Sequence, residues 1–219
     1  MLVKEFMTPT VVTVREDQSM LEAREIMNSK ALLSLPVVDD LQRVRGIITK
    51  NDIGNASPSD ASTLSRYEAN YLLGRLKVKD VMSRNVITVN GDDSIEFVAY
   101  HLYKHRVNAL PVVDDNNKLC GIIAQNDIFR AFVEIMSMDR SCTRITLEAE
   151  DQIGVVAEIS NLFKENNINI YSLITRLIGN GQSEITIRAD LSGHGLEIVE
   201  QLREAGYNVT DIMTIQGVN

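Results

Sequence analysis

One hexapeptide occurs twice in this chain. Leu35-Pro36-Val37-Val38-Asp39-Asp40 returns as Leu110-Pro111-Val112-Val113-Asp114-Asp115. Gly46-Ile47-Ile48-Thr49-Lys50-Asn51-Asp52-Ile53 returns at the same shift as Gly121-Ile122-Ile123-Ala124-Gln125-Asn126-Asp127-Ile128. The shift also pairs Val3-Lys4 with Val78-Lys79, Met7 with Met82, Thr13-Val14 with Thr88-Val89 and Ser19 with Ser94. About 20 of the 51 gapless pairs between 3–53 and 78–128 are identical, where average composition gives on the order of 3. The chain is therefore read first as two copies of one unit.

Each copy has the same element signals. Val11 to Val14 is short and β-branched and predicts a strand. Ser19 and Glu22 have capping-box spacing, and a helix to about Asn28 follows with Met20, Ala23, Ile26 and Met27 on one face. Leu33 to Asp39 and Val44 to Ile48 read as strands, and Asn51-Asp52 opens a short helix. Repeat 2 gives strand 86–89, helix 94–104, strands 108–113 and 119–123, and a helix from Asn126. Between the copies, 54–77 holds a loop and then a helix over about 62–76; Tyr67 and Tyr71 on it fit a core, a partner face or solvent alike. The domains expected are 1–54, 55–77 (loop and helix), 78–138 and 143–219.

Residues 143–219 share nothing with the repeats. Arg144 to Ala149 alternates as a strand. A helix opens at Asp151-Gln152-Ile153-Gly154, with Ile153, Val156, Ile159, Ser160 and Phe163 at helical spacing. Asn166-Asn167 suits its end. Ile168 to Ile178, the Asn180-Gly181 hairpin signal and Ser183 to Ala189 follow. A helix over Gly195 to Ala205 and a strand over Val209 to Ile215 close a βαββαβ order, which is ferredoxin-like.

The net charge of -8 argues against a nucleic-acid surface, which needs a basic stripe. No apolar run approaches a membrane span, and the first residues lack a signal-peptide core. Cys120 and Cys142 read as reduced thiols in a cytoplasmic protein. His101 and His105 share a helix face but lack a third ligand, and His194 lacks a nucleophile, so no metal site and no catalytic residue is expected.

Thr49 and Asp52 carry the most chemistry. The strand-to-helix turn puts both side chains at one helix start. An ionised Asp accepts two hydrogen bonds, as a ribose diol requires; it also caps helices well, and spacing alone leaves both roles open.

The duplicated Leu-Pro-Val-Val-Asp and Gly-hydrophobic-x-Thr-x-x-Asp motifs make residues up to about 135 resemble a tandem pair of CBS (cystathionine-β-synthase) domains. Repeat 2 departs at Ala124. The tail resembles an ACT domain, by its element order and by Asp151 and Gly154 as Asp-x-x-Gly. Together they resemble the bacterial acetoin-utilisation protein B family. The resemblance implies an α+β fold: a pseudo-twofold CBS pair, each copy β-α-β-β-α, followed by a ferredoxin-like βαββαβ ACT domain.

It also implies an adenine nucleotide (AMP, ADP or ATP) as regulatory ligand between the repeats, with no required cofactor. A first site would use Ile47, Thr49, Asp52, Val86, Ile87, Arg106, Asn108 and Ala109. A second would use Val11, Val12, Leu33, Ser34, Ile122 and Asp127; lacking the hydroxyl at Ala124, it is expected to be weaker or to suit a less charged adenosyl ligand. An ACT domain would hold an amino acid near Asp151, Ile153, Gly154, Val155, Asn169 and Ile170, or serve only for dimerisation. The chain then reads as a non-catalytic homodimeric sensor acting on a protein partner. The alternatives are an enzyme or enzyme subunit with a site at the CBS–ACT junction, and a structural adaptor.

Overall fold

The computed structural model describes residues 1–57, 65–192 and 197–217. Repeat 1 contains α1 (Val3–Phe6), α2 (Met20–Ser29), β1 (Ser34–Val38), β2 (Val44–Thr49) and α3 (Lys50–Ala56). Helix α4 (Arg66–Arg75) leads to repeat 2, with α5 (Val78–Val81), β3 (Val89–Asn90), α6 (Ile95–His105), β4 (Ala109–Val113), β5 (Leu119–Ala124) and α7 (Gln125–Ile135). The chain divides into two compact units, Met1–Arg130 and Ala131–Asn219, and the division falls within α7.

The local causes are those the residues suggest. Ser19 Oγ accepts from the Glu22 amide at 3.2 Å while the Ser19 amide donates to Glu22 Oε2 at 2.8 Å, so α2 starts on a full capping box. The first of the two acidic residues of the duplicated hexapeptide is structural. Asp39 Oδ1 accepts from the amides of Leu41 and Arg43, and Asp114 Oδ1 from those of Asn116 and Lys118, all at 2.9 Å. The Arg43 amide first, then the Arg43 side chain and the Leu41 amide, hold the Asp39 carboxyl down at about 2.

The copies interlock. Lys4 and Val3 amides bond to the Gly91 and Asp93 carbonyls of repeat 2; Lys79 and Val78 bond in the same way to Glu16 and Gln18 of repeat 1. Thr8 and Ile122 exchange two backbone bonds, and so do Ser83 and Ile47. At the hexapeptide turns, Leu119 N–H donates to Gln42 and Val44 N–H to Asn117. Each copy's first segment thus sits on the other copy. Val78 and Met82 join the core of Met20, Ala23, Met27, Leu35, Val37 and Ile48. Each such side chain contributes about 1.5–3 kcal/mol by leaving water, so neither repeat is complete alone.

Some expectations are corrected. No strand forms over 11–14; Val14 alone bridges Val37 in parallel. In repeat 2 the strand is Val89–Asn90 and not 86–89. The residues before each are withdrawn from the sheet to wall a cavity, described below. The helix expected over 62–76 is described from Arg66, residues 58–64 lying outside the described residues. On α4, Leu73 is buried and Tyr67 and Tyr71 are exposed, which removes the core reading of the two tyrosines. Cys120 is exposed and Cys142 buried.

The second unit contains β6 (Cys142–Glu150), α8 (Val155–Glu165), β7 (Ile170–Gly179), β8 (Gln182–Ala189), α9 (Glu197–Glu204) and β9 (Asn208–Ile215). Its four strands pair antiparallel in the order β7-β8-β6-β9, the ferredoxin-like arrangement. Ile145, Leu147, Ile185 and Ile187 face Ile159, Phe163, Ile198 and Leu202 of the two helices. Asn180 and Gly181 both have positive φ, 53° and 71°, as the hairpin signal requires. One expectation fails: α8 starts at Val155, and Ile153 lies before it, fully exposed at 106%. Gly154, at φ +103°, turns the chain into the helix and takes Ile153 off its apolar face.

Candidate functional site

Two of the cavities in the first unit are related by the internal repeat. The first, about 330 Å³, is lined by Ile47, Thr49 and Asp52 of repeat 1 and by Val86, Ile87, Arg106, Asn108 and Ala109 of repeat 2. All eight residues expected for the first site are brought together. The second, about 280 Å³, is lined by Val11, Val12, Leu33, Ser34, Ile122 and Asp127, all six expected for the other. Leu33, Ser34, Asn108 and Ala109 line both, so the local twofold passes between these two equivalent pairs.

A left-handed residue stands at the same repeat position just past the first long helix of each copy: Ala31 at φ 52° and Arg106 at φ 53°. It turns the chain from helix to strand beside the cavity. One copy places a methyl there and the other a guanidinium.

Thr49 is the N-cap of α3. Its hydroxyl accepts from the Asp52 amide at 3.2 Å and donates to Asp52 Oδ2 at 2.6 Å, while its amide donates to the same oxygen at 2.8 Å. Capping and ligand binding therefore do not compete. Oδ2 serves the cap, and Oδ1 has no hydrogen bond among the described residues. The Thr49 proton is spent on the carboxylate, so the hydroxyl holds Asp52 in place and offers a ligand only a lone pair.

The second cavity is built differently. Ala124 has no hydroxyl, and only its amide meets Asp127 Oδ2, at 2.8 Å. Arg130 reaches Asp127 Oδ1 at 3.4 Å and also donates to the Phe6 carbonyl. The charges differ as well. The first cavity is lined by Lys50 and Arg106, neither of which has an ion-pair partner among the described residues. No Lys or Arg lines the second. Lys50, Asn51 and the shared Ser34 were missed in the first cavity, and Thr8, Thr10 and Asn126 in the second. Asn51 and Asn126 were legible in the repeat itself, as an identical pair one residue before each Asp.

The residues expected to hold an amino acid in the second unit do not meet within one chain. The Asp151 amide donates to Gly181 and its carboxylate accepts from Ser183, at the start of β8. Asn169 accepts from the Asp190 amide, past the end of β8, and Ile170 pairs with Ala189. The strand between them separates the two groups by about 20 Å. Val155 is buried in the core. The histidine pair on α6 stacks at 5.5 Å between ring centroids. No group of three or more metal-ligating side chains occurs among the described residues, and His194 lies outside them.

The CBS domain family matches residues 3–58 and 78–134, just over half of the chain. The chain belongs to the CBS domain family. A homoserine O-acetyltransferase of Methanosalsum zhilinae is 37% identical over 126 residues, 58% of this chain and 23% of the relative. The chain thus spans under a quarter of the length of that relative. Among solved structures, the CBS pair of protein MJ0100 in complex with 5′-methylthioadenosine and S-adenosyl-L-methionine is 30% identical, with a TM-score of 0.50 over 60% of this chain and 95% of that one. CBSX2 in complex with AMP is 27% identical, with a TM-score of 0.53 over 61% and 97%. A putative acetoin utilization protein from Vibrio cholerae shares the fold, at 22% identity and a TM-score of 0.53 over 63% and 94%. No described helix is long and apolar enough to cross a membrane.

Proposed function

We propose that this protein is a non-catalytic sensor that binds an adenine nucleotide in the first cavity of its CBS pair. The observation that carries this is the asymmetry of two equivalent cavities. Each has an Asp suited to a ribose, and one alone is lined by two cations, unpaired among the described residues, suited to phosphate. Ile47, Val86 and Ile87 supply apolar wall for a base, and Asn108 and Ala109 flank the sugar. The second cavity, with Asp127 and no lining cation, suits a less charged adenosyl ligand. The complexes of similar CBS pairs with AMP, and with S-adenosyl-L-methionine and 5′-methylthioadenosine, support both halves of this reading.

Occupancy would bias a conformational equilibrium read by a protein partner in the cytoplasm, which requires different affinities in the two states. The second unit is read as ACT-like and homodimer-forming, in a protein of the acetoin-utilisation protein B type. An amino acid at Asp151, Ile153 and Gly154 would then meet Asn169 and Ile170 of a second copy, since one copy holds them apart. A second reading, regulatory subunit of an enzyme, is favoured by the transferase relative, of which the shared segment is a minor part.

Calorimetric titration with AMP, ATP and S-adenosyl-L-methionine tests the nucleotide reading. Asp52→Ala is expected to weaken AMP by about 10–100-fold, the worth of hydrogen bonds to a charged group. Equal AMP affinity in both proteins sinks the first site, and sustained ATP turnover by the pure protein sinks the sensor.

A further inference from the structure

A row of side chains crosses the face of the C-terminal sheet that turns away from α8 and α9. Ser172 on β7, Arg188 on β8, Arg144 on β6 and Met213 on β9 are successive register partners. Their strand neighbours Ile145 and Ile187 point the other way, into the core with Ile159 and Phe163. Two guanidinium groups therefore stand directly opposite each other on adjacent strands. That pairing is repulsive unless something negative lies between them.

Among the described residues nothing is placed to supply it for Arg188. Arg188 is only 5% exposed, and its Nε and Nη1 are shut off from solvent with no hydrogen-bond partner; Nε of Arg144 is in the same state. Asp211 meets Arg144 Nη2 at 2.6 Å and is engaged there. Arg188 has no ion pair among the described residues. A buried charge lacking a partner is strongly unfavourable, and native structures complete such groups with a ligand, an ion or water.

We propose that this row binds a compact oxyanion, the carboxylate or phosphate group of a small metabolite, between Arg188 and Arg144. A guanidinium presents a planar fork of donors that matches either group, and two of them neutralise its charge. The anion enters from the β9 side, where Met213 is 47% exposed, and shares no residue with either CBS cavity. This goes beyond the nucleotide reading and stands without it.

The test is thermal unfolding of the full chain in rising inorganic phosphate or succinate, against chloride at equal ionic strength. The wild type is expected to gain a few degrees, saturably, because a ligand of the folded state raises its stability. Arg188→Met, which removes the buried charge at similar volume, is expected to unfold no lower than the wild type in chloride and to ignore both anions. Arg188→Lys keeps the charge without the fork and is expected to need at least about tenfold more anion. The series is repeated on an Arg106→Gln background, in which the nucleotide cavity has lost one of its two phosphate-suited cations; Arg188→Met is expected to abolish the remaining response there, which separates this row from phosphate binding at that cavity. A response to phosphate alone assigns a phosphate group; a response to succinate assigns a carboxylate. An equal response in Arg188→Met overturns the proposal. So does a wild type indifferent to both anions, which would place a buried water at Arg188.

Discussion

Positions 49 and 124 are the same place in two copies of one unit, and they differ by a hydroxyl and a methyl group. Thr49 caps α3 and fixes Asp52 at 2.6 Å; Ala124 leaves Asp127 with a backbone donor and a distant Arg130. Thr49→Ala is therefore expected to cost about 1 kcal/mol in urea unfolding, the usual worth of such a cap. Ala124→Thr is expected to stabilise, by up to about the same amount. If the two substitutions shift the midpoint in the same direction, the hydroxyl is not the element that distinguishes the copies. At this scale Asp52 and Asp127 were legible because an Asp has few reasons to recur at one spacing. Lys50 and Ser34 were not, since nothing in a sequence says which face of a turn borders a cavity.

At the scale of elements, the dependence of each repeat on the other is the main finding. Gly46 and Gly121, duplicated in the motif, each face a Met from the opposite copy. A Cβ on Gly46 would lie 2.5 Å from Met82 Sδ and 3.1 Å from the Ser83 carbonyl; on Gly121 it would lie 2.5 Å from Met7 Sδ. The thioether can move, but the carbonyl is held by the Ile47 backbone pair. Gly46→Ala is expected to destabilise by about 1–3 kcal/mol through overpacking. Combined with Met82→Ala it should cost less than the sum of the single changes, by about 0.5–3 kcal/mol. Additive costs in denaturant unfolding would show that the close approach is not what holds the segments. The matched glycines and methionines were visible in the repeat, but their cross-copy pairing was not, because a 75-residue shift carries no information about which copy closes on which.

For the molecule as a whole, every residue lining the two cavities falls within Met1–Arg130, one of the two units. A chain ending at residue 138 is expected to bind AMP within about threefold of the full chain, a difference of under 1 kcal/mol. A tenfold loss on truncation, measured by titration, would mean that the second unit takes part in nucleotide binding. The element order of that unit was readable from its periodicities and its Asn180-Gly181 turn. The separation of Asp151 from Asn169 was not. It follows from the antiparallel pairing through β8, which only the assembled sheet shows.

By itself the sequence determined the duplication, the strand and helix order, and the chemistry available at Thr49 and Asp52, because all three depend on local spacing and residue type. The tertiary structure alone decided that the cavities share Leu33, Ser34, Asn108 and Ala109, that Lys50 and Arg106 line only one of them, and that Arg188 is buried opposite Arg144. Those facts depend on how strands far apart in the chain come into register, and neither residue type nor spacing encodes that directly.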